Sequence, residues 1–183
     1  NEARFYEPLA DNKVLCTLCP HDCRIPNNGR GACSVRYNRD GRLYTLVYDK
    51  VVAREVNPIE KKPLFHFHPG SYAYSISTVG CNLRCSYCQN WQISQSPRDG
   101  APPQGQAATP RQIVAAAASQ GCASISYTYT EPTIFFELAH DTAALAREAL
   151  ADPGAGVVGV LVDDDHGRAR LEEGFEAIGP LHQ

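Results

Sequence analysis

Tyr72-Ala73-Tyr74-Ser75-Ile76-Ser77-Thr78-Val79 runs directly into Gly80-Cys81-Asn82-Leu83-Arg84-Cys85-Ser86-Tyr87-Cys88-Gln89-Asn90-Trp91. The first half is rich in β-formers and reads as a strand. The second half carries three cysteines at C-x3-C-x2-C spacing, so Cys81, Cys85 and Cys88 can reach one point from a single loop at the strand's C-terminal end. Three thiols are an odd number for disulfides. They are also one short of the four cysteines that normally saturate a [4Fe-4S] cluster. A cluster held by three leaves one iron with an open position, and an open position admits chemistry.

Downstream of the loop, residues 94–108 are rich in Ser, Pro, Gln and Gly and read as irregular chain. Thr109-Pro110 is a helix start, with Thr as N-cap and Pro at the first helical position. That helix runs through Ile113 and Ala118 and stops at Gly121. Residues 123–129 form a second strand, preceded by Cys122 as a small core residue. Glu131-Pro132-Thr133 then turns into a helix over 134–150, with Phe135, Leu138, Leu145 and Ala149 at helical spacing. Strand, helix, strand, helix implies an α/β fold with a parallel sheet and right-handed crossovers. Functional loops of such sheets gather at the C-terminal strand ends. The cysteine loop and Thr130-Glu131-Pro132 occupy two such ends on neighbouring strands, so the topology alone predicts a shared site.

Upstream, Cys16, Cys19, Cys23 and Cys33 are spaced C-x2-C-x3-C-x9-C, the last of them in a Gly-rich stretch. Such a set can close a tetrahedral thiolate site. Structural zinc, an accessory iron–sulfur cluster and four unliganded buried thiols are all compatible with it, with His21 as a bystander. Residues 43–48 and 51–56 alternate and are broken at Asp49-Lys50, which predicts a hairpin within a small cysteine-rich β module. A proline-bounded connection follows, in which His66 and His68 are expected to pack among Phe65 and Phe67.

The bulk numbers narrow the class. A chain of 183 residues with 43% hydrophobic content can bury a core. Its 17 basic and 20 acidic residues give a net charge of −3, which argues against a nucleic-acid partner. No stretch approaches the ~18–20 apolar residues of a spanning helix, and the N-terminus does not resemble a signal peptide. A cytoplasmic protein with no membrane partner is expected, and its eight cysteines read as reduced thiols or metal ligands. The chain contains no methionine, which reads as a processed chain or a fragment.

C-x3-C-x-aromatic-C, with Tyr87 as the aromatic, resembles the cluster motif of radical S-adenosylmethionine (SAM) enzymes. The wider string is similar to the radical SAM member of the AmmeMemoRadiSam system, a relative of the pyruvate formate-lyase activating enzymes. The matching pieces are Ala3-Arg4-Phe5-Tyr6, Cys16-Thr17-Leu18-Cys19-Pro20-His21, Pro58-Ile59-Glu60-Lys61-Lys62-Pro63-Leu64-Phe65-His66-Phe67, Cys88-Gln89-Asn90-Trp91 and Tyr127-Thr128-Tyr129-Thr130-Glu131-Pro132-Thr133. They occur in order from residue 1 to about 149.

The resemblance implies that Cys81, Cys85 and Cys88 hold a [4Fe-4S] cluster whose open iron chelates SAM. Tyr87 matches the aromatic beside the adenine, and Asn90 an asparagine near the SAM. Tyr129-Thr130-Glu131 stands where relatives carry Gly-Gly-Glu. Glu131 therefore matches the residue that binds the SAM amino group, and Thr130 a backbone contact to it. The implied activity is reductive cleavage of SAM to a 5′-deoxyadenosyl radical for hydrogen abstraction from a substrate. The alternatives are activation of a glycyl-radical enzyme and a non-catalytic metal-binding module. The implied partners are an electron donor such as flavodoxin or ferredoxin, and Memo-type and AMMECR-type proteins.

The resulting division is a cysteine-rich module and connection over 1–70 and an incomplete radical SAM (β/α) barrel core over 71–183. Residues 150–183 do not resemble the continuation of such a barrel, which reads as a truncation or frame shift with weak or absent turnover. Residues 157–162 suit a third strand, ended by Asp163-Asp164-Asp165, and 168–178 a short helix. The three aspartates read as a solvated strand end in preference to a cation site.

Overall fold

The computed structural model of the protein describes residues 1–97, 100–150 and 160–162. The cysteine-rich N-terminal stretch folds as short antiparallel pieces because residues that tolerate a left-handed backbone punctuate it. β1 (Tyr6–Pro8), β2 (Val14–Cys16) and β3 (Cys23–Ile25) form a three-stranded sheet in that order. Asp11 and Asn12 take positive φ between the first two strands, and Asp22 does so just before the third. Asn and Asp visit this region more readily than other side chains. β4 (Arg36–Arg39) and β5 (Arg42–Thr45) make a hairpin around Asp40 and Gly41. Both turn residues have positive φ, as the tightest hairpin turns require. Ala3, Val14, Cys16, Ile25 and Leu43 form a small core of their own.

The expected hairpin over 43–56 is not formed. β5 pairs back onto β4, whose charged ends hid it as a strand. Two short strands follow, β6 (Lys50–Val51) and β7 (Ala53–Pro58), and β7 pairs along its whole length with β8 (Tyr72–Ser77), antiparallel. The Asp40-Gly41 turn closes a tighter loop than Asp49-Lys50, and the buried β8 offers a longer partner. A strand from before residue 70 thus lies in the same sheet as the strands after it.

The remaining elements are α1 (Trp91–Ser94), β9 (Gln106–Ala107), α2 (Pro110–Ser119), β10 (Ser124–Tyr127), α3 (Phe136–Leu150) and β11 (Val160–Val162). β9 lies in the stretch read as irregular and pairs antiparallel with β6. α2 begins where the sequence predicts. Thr109 and Gln112 form a reciprocal capping box ahead of Pro110, and Ile113, Val114 and Ala117 are buried. A 3-10 turn over Pro132–Phe135 precedes α3.

The main sheet runs β11-β10-β8-β7. β10 lies between β8 and β11 and is parallel to both, so the expected parallel core and third strand are present. Every residue of β10, and all of β8 but Tyr72, is buried, as expected for strands covered on both faces. The architecture is mixed α/β. Among the described residues the sheet is open, not a closed barrel. The aspartates 163–165 and the helix expected over 168–178 lie outside the described residues.

A buried ion pair fastens the N-terminal module to α3. Arg36 donates from Nη1 and Nη2 to the two carboxylate oxygens of Glu137, each at 2.7 Å, and both side chains are 1% exposed. Arg36 Nη2 also donates to the carbonyl of Ile134 at 3.3 Å, and the Arg4 amide donates to Glu137 Oε1 at 3.0 Å.

Candidate active site

The C-terminal ends of β8 and β10 are tied together before either releases its loop. Thr130 Oγ1 donates to the Thr78 carbonyl at 3.1 Å and lies 3.1 Å from Ser77 Oγ. Gly80 then turns the chain off the sheet at φ +92, with its amide on the Ile93 carbonyl at 3.0 Å. A Cβ there would sit 2.6 Å from Val35 Cγ1 and 2.8 Å from the Cys33 carbonyl oxygen. The cysteine loop therefore leaves the sheet in direct contact with the N-terminal module.

Within the loop, the Leu83 amide donates to Cys81 Sγ at 3.4 Å and the Cys88 amide to the Cys85 carbonyl at 3.3 Å. Cys88 Sγ lies 3.4 Å from the hydroxyl of buried Ser94 on α1. Cys81 and Cys88 are half-buried and Cys85 is exposed. Burial pushes the Cys81 thiol above its ordinary value, the backbone amides of Leu83 and Glu131 oppose that, and the Glu131 carboxylate and Cys85 push it up further. Glu131 is thus a direct neighbour of the first cysteine of the loop. Its carboxylate oxygen Oε1 accepts from the Thr133 hydroxyl at 2.7 Å and the Thr133 amide at 3.3 Å, capping the 3-10 turn.

These parts line one cavity of about 590 Å³, within the size range of small-molecule sites. Cys81, Cys85, Cys88, Asn90, Thr130 and Glu131 all contribute to its wall, so the two strand-end loops do meet in one place. Tyr87 does not line it and stands 87% exposed. Thr130 lines it, although its side chain is committed to the end of β8.

Of the N-terminal cysteines only Cys19 reaches the cavity, together with Leu18, Pro20 and His21. Cys19 Sγ lies 3.7 Å from His21 Nδ1. Cys16 and Cys23 face each other across β2 and β3, and the Ala32 amide donates to Cys23 Sγ at 3.5 Å. Cys16 and Cys33 are buried, and burial pushes the Cys16 thiol up to about 11. His21 also lines the wall of the site, and nothing in a sequence separation of some sixty residues signals that. His66 and His68 are exposed, with His68 edge-on to Phe67 at 4.7 Å.

None of the eight cysteines is paired in a disulfide. Among the described residues no group of three or more Cys, His, Asp or Glu side chains is already drawn together as a metal site. The loop's donor set nonetheless suits a cluster. A single ion gathers its ligands to one point, whereas cysteines that hold a multi-iron cluster bind different irons and stand apart. The Leu83 amide donates to Cys81 Sγ and, with the Glu131 amide, opposes the burial that raises this thiol, and the glycine at position 80 leaves no Cβ between loop and module.

The open sheet, parallel across β8, β10 and β11, thus carries a three-cysteine loop at the C-terminal end of β8. The Radical SAM superfamily model matches residues 75–178, more than half of the chain, and the chain belongs to that superfamily. Membership implies a partial α/β barrel, a [4Fe-4S] cluster and SAM. The chain is also 50% identical over 147 residues to an uncharacterized protein of Methanocaldococcus jannaschii, a match that covers 80% of this chain and 44% of the relative. The chain therefore spans less than half the length of that relative. No solved structure matches it. The family match extends to residue 178, past residue 149, where the resemblance read from the sequence ends. Among the described residues no helix is long and apolar enough to cross a membrane.

Proposed function

We propose that the chain is the cluster-bearing part of a radical SAM enzyme, of the kind found in the AmmeMemoRadiSam system. Cys81, Cys85 and Cys88 hold a [4Fe-4S] cluster, and Glu131 and Asn90 bind SAM at the open iron. The observation that carries this reading is that the three loop cysteines and Glu131, from two different strand ends, line a single cavity. When bound, the reduced cluster supplies the electron that cleaves SAM to methionine and a 5′-deoxyadenosyl radical for hydrogen abstraction.

The chain's own residues bind and orient. The Thr133 hydroxyl and amide fix one oxygen of Glu131. A carboxylate held in this way presents a set direction to an ammonium group, and a charge-assisted hydrogen bond between them resists rotation. Cys19, Pro20 and His21 contribute the wall of the cavity on the N-terminal side.

The test is anaerobic reconstitution followed by EPR of the reduced protein with and without SAM. The expected outcome is a spectrum that changes on SAM addition. Replacing Cys85 with Ala abolishes the response, and a response that survives Cys85→Ala would sink the ligand assignment. Metal analysis of the same sample decides the N-terminal set. About four irons per chain mean one cluster and about eight mean two, while one cluster plus a zinc makes Cys16, Cys19, Cys23 and Cys33 a structural zinc site.

A further inference from the structure

Tyr129 sits two residues before Glu131 and has φ +68. The Thr130 amide donates to the Thr128 carbonyl at 2.9 Å, so Tyr129 is the central residue of a three-residue γ-turn. The positive-φ form of that turn is rare and strained. For a bulky aromatic residue it is a true outlier, and such outliers persist only where the surroundings hold them. A glycine would adopt this backbone freely.

The surroundings that hold it are two residues outside the cavity wall. Tyr129 Oη donates to Asn57 Oδ1 at 3.0 Å. The Lys62 ammonium lies 5.0 Å from the centre of the Tyr129 ring and donates to the same Asn57 oxygen at 3.3 Å. Ser75 Oγ on β8 donates to it as well, at 3.3 Å. Three donors thus converge on one buried amide oxygen at the end of β7. Burial lowers the Lys62 pKa, with Lys61 adding to it, and a cation–π contact gains strength as the cation loses water. Neither Lys62 nor Asn57 lines the cavity, whereas Tyr129 and Glu131 both do.

We propose that Lys62 and Asn57 are positioning residues that clamp Tyr129 in its strained turn and thereby set the direction in which Glu131 enters the cavity. As it bears on SAM, this rests on the reading of Glu131 given above. The clamp also gives the segment from Pro58 to Lys62 a role in the site, although Pro58 pairs with Tyr72, at the opposite end of β8 from the cysteine loop. A tyrosine here makes the turn depend on distant groups, so the carboxylate is adjustable through them in a way that a glycine turn is not.

The test compares Lys62→Met in the full chain with the same change in a Tyr129→Gly background. Two readouts are followed, hydrogen exchange across residues 128–133 and SAM affinity by equilibrium dialysis after anaerobic reconstitution. Lys62→Met alone should speed exchange at the Thr130 and Glu131 amides. It should weaken SAM by roughly three- to tenfold, the range that loss of a partly desolvated cation–π contact gives, with iron content unchanged. In the Tyr129→Gly background, where no strain needs holding, Lys62→Met should change neither readout. Unchanged exchange in Lys62→Met overturns the clamp, and so does an equal effect in both backgrounds, which would place Lys62 in direct contact with the ligand. If the unsubstituted protein does not bind SAM, the functional reading fails separately and exchange alone judges the clamp.

Discussion

Gly80 and Tyr129 meet the same demand by opposite means. Each sits where the chain leaves a parallel strand for the cavity, and each has positive φ. At Gly80 the missing side chain is essential, because Val35 and the Cys33 carbonyl occupy the place of a Cβ. Gly80→Ala adds one methyl group and meets both a strained φ and a backbone oxygen that cannot rotate away. The expected loss of stability is about 2–3 kcal/mol, read from urea unfolding, with cysteine loop reactivity toward alkylation raised in the folded state. An alanine variant of unchanged stability would show that the module and the loop are not in contact at this point. At Tyr129 the side chain is present and held, so the local sequence gives no sign of the turn. Only its likeness to a glycine position marks it.

Among the elements, α2 is legible because its chemistry is local. Thr109, Pro110 and Gln112 specify a start within four residues, and Gly121 follows its end at φ +65. Thr109→Ala removes the hydroxyl that accepts from the Gln112 amide at 3.3 Å. It should cost about 1 kcal/mol, measured as a shift in the unfolding midpoint without change in cluster content. The strands are less legible, because pairing is a choice among distant partners. Residues 51–56 carry the right pattern for a strand, yet nothing in them chooses β8 over the adjacent 43–48. The meeting of the cysteine loop with Glu131 was legible, since parallel strands place their following loops on one edge. The wall formed by Leu18 to His21 was not, because it depends on how a separately cored module docks.

At the scale of the whole molecule, α3 is the plank to which the N-terminal module is fixed, and its outer and inner contacts differ in kind. The outer contact is Asp141, which accepts from Tyr48 Oη and pairs with Arg4. Burial alone would push the Asp141 carboxyl up, but hydrogen bonds from Tyr48 and His140 and the charge of Arg4 outweigh it and leave the pKa lowered. A lowered folded-state value means that the unfolded chain binds the proton first as pH falls. The contribution is therefore complete above the unfolded value of about 3.9 and is lost as pH drops through the folded one. The stability difference between the protein and Asp141→Asn, followed by thermal unfolding, should hold steady from pH 7 to 5 and shrink below about pH 4.

The inner contact is the pair of Arg36 and Glu137, both 1% exposed. Its worth does not lie in the attraction itself, since desolvating two charges offsets most of that. It lies in what each partner would do alone. Among the described residues, Arg36→Met leaves the buried Glu137 carboxylate with only the Arg4 amide as donor. Breaking such a pair from one side costs about 3–5 kcal/mol, so the single variant should lose that much in urea unfolding. Arg36→Met combined with Glu137→Leu removes both charges and keeps similar volume, and it should recover most of the loss. Arg36 also donates to Ile134, in the 3-10 turn that Glu131 caps, so the single variant disturbs the turn that carries the site's carboxylate. SAM response should therefore weaken in Arg36→Met and stay weakened in the double variant, which regains stability but also lacks the bond to Ile134. A single variant within about 1 kcal/mol of the unsubstituted protein would place the joint between module and helix elsewhere, in the apolar contact of Phe5 with Phe136 at 5.0 Å.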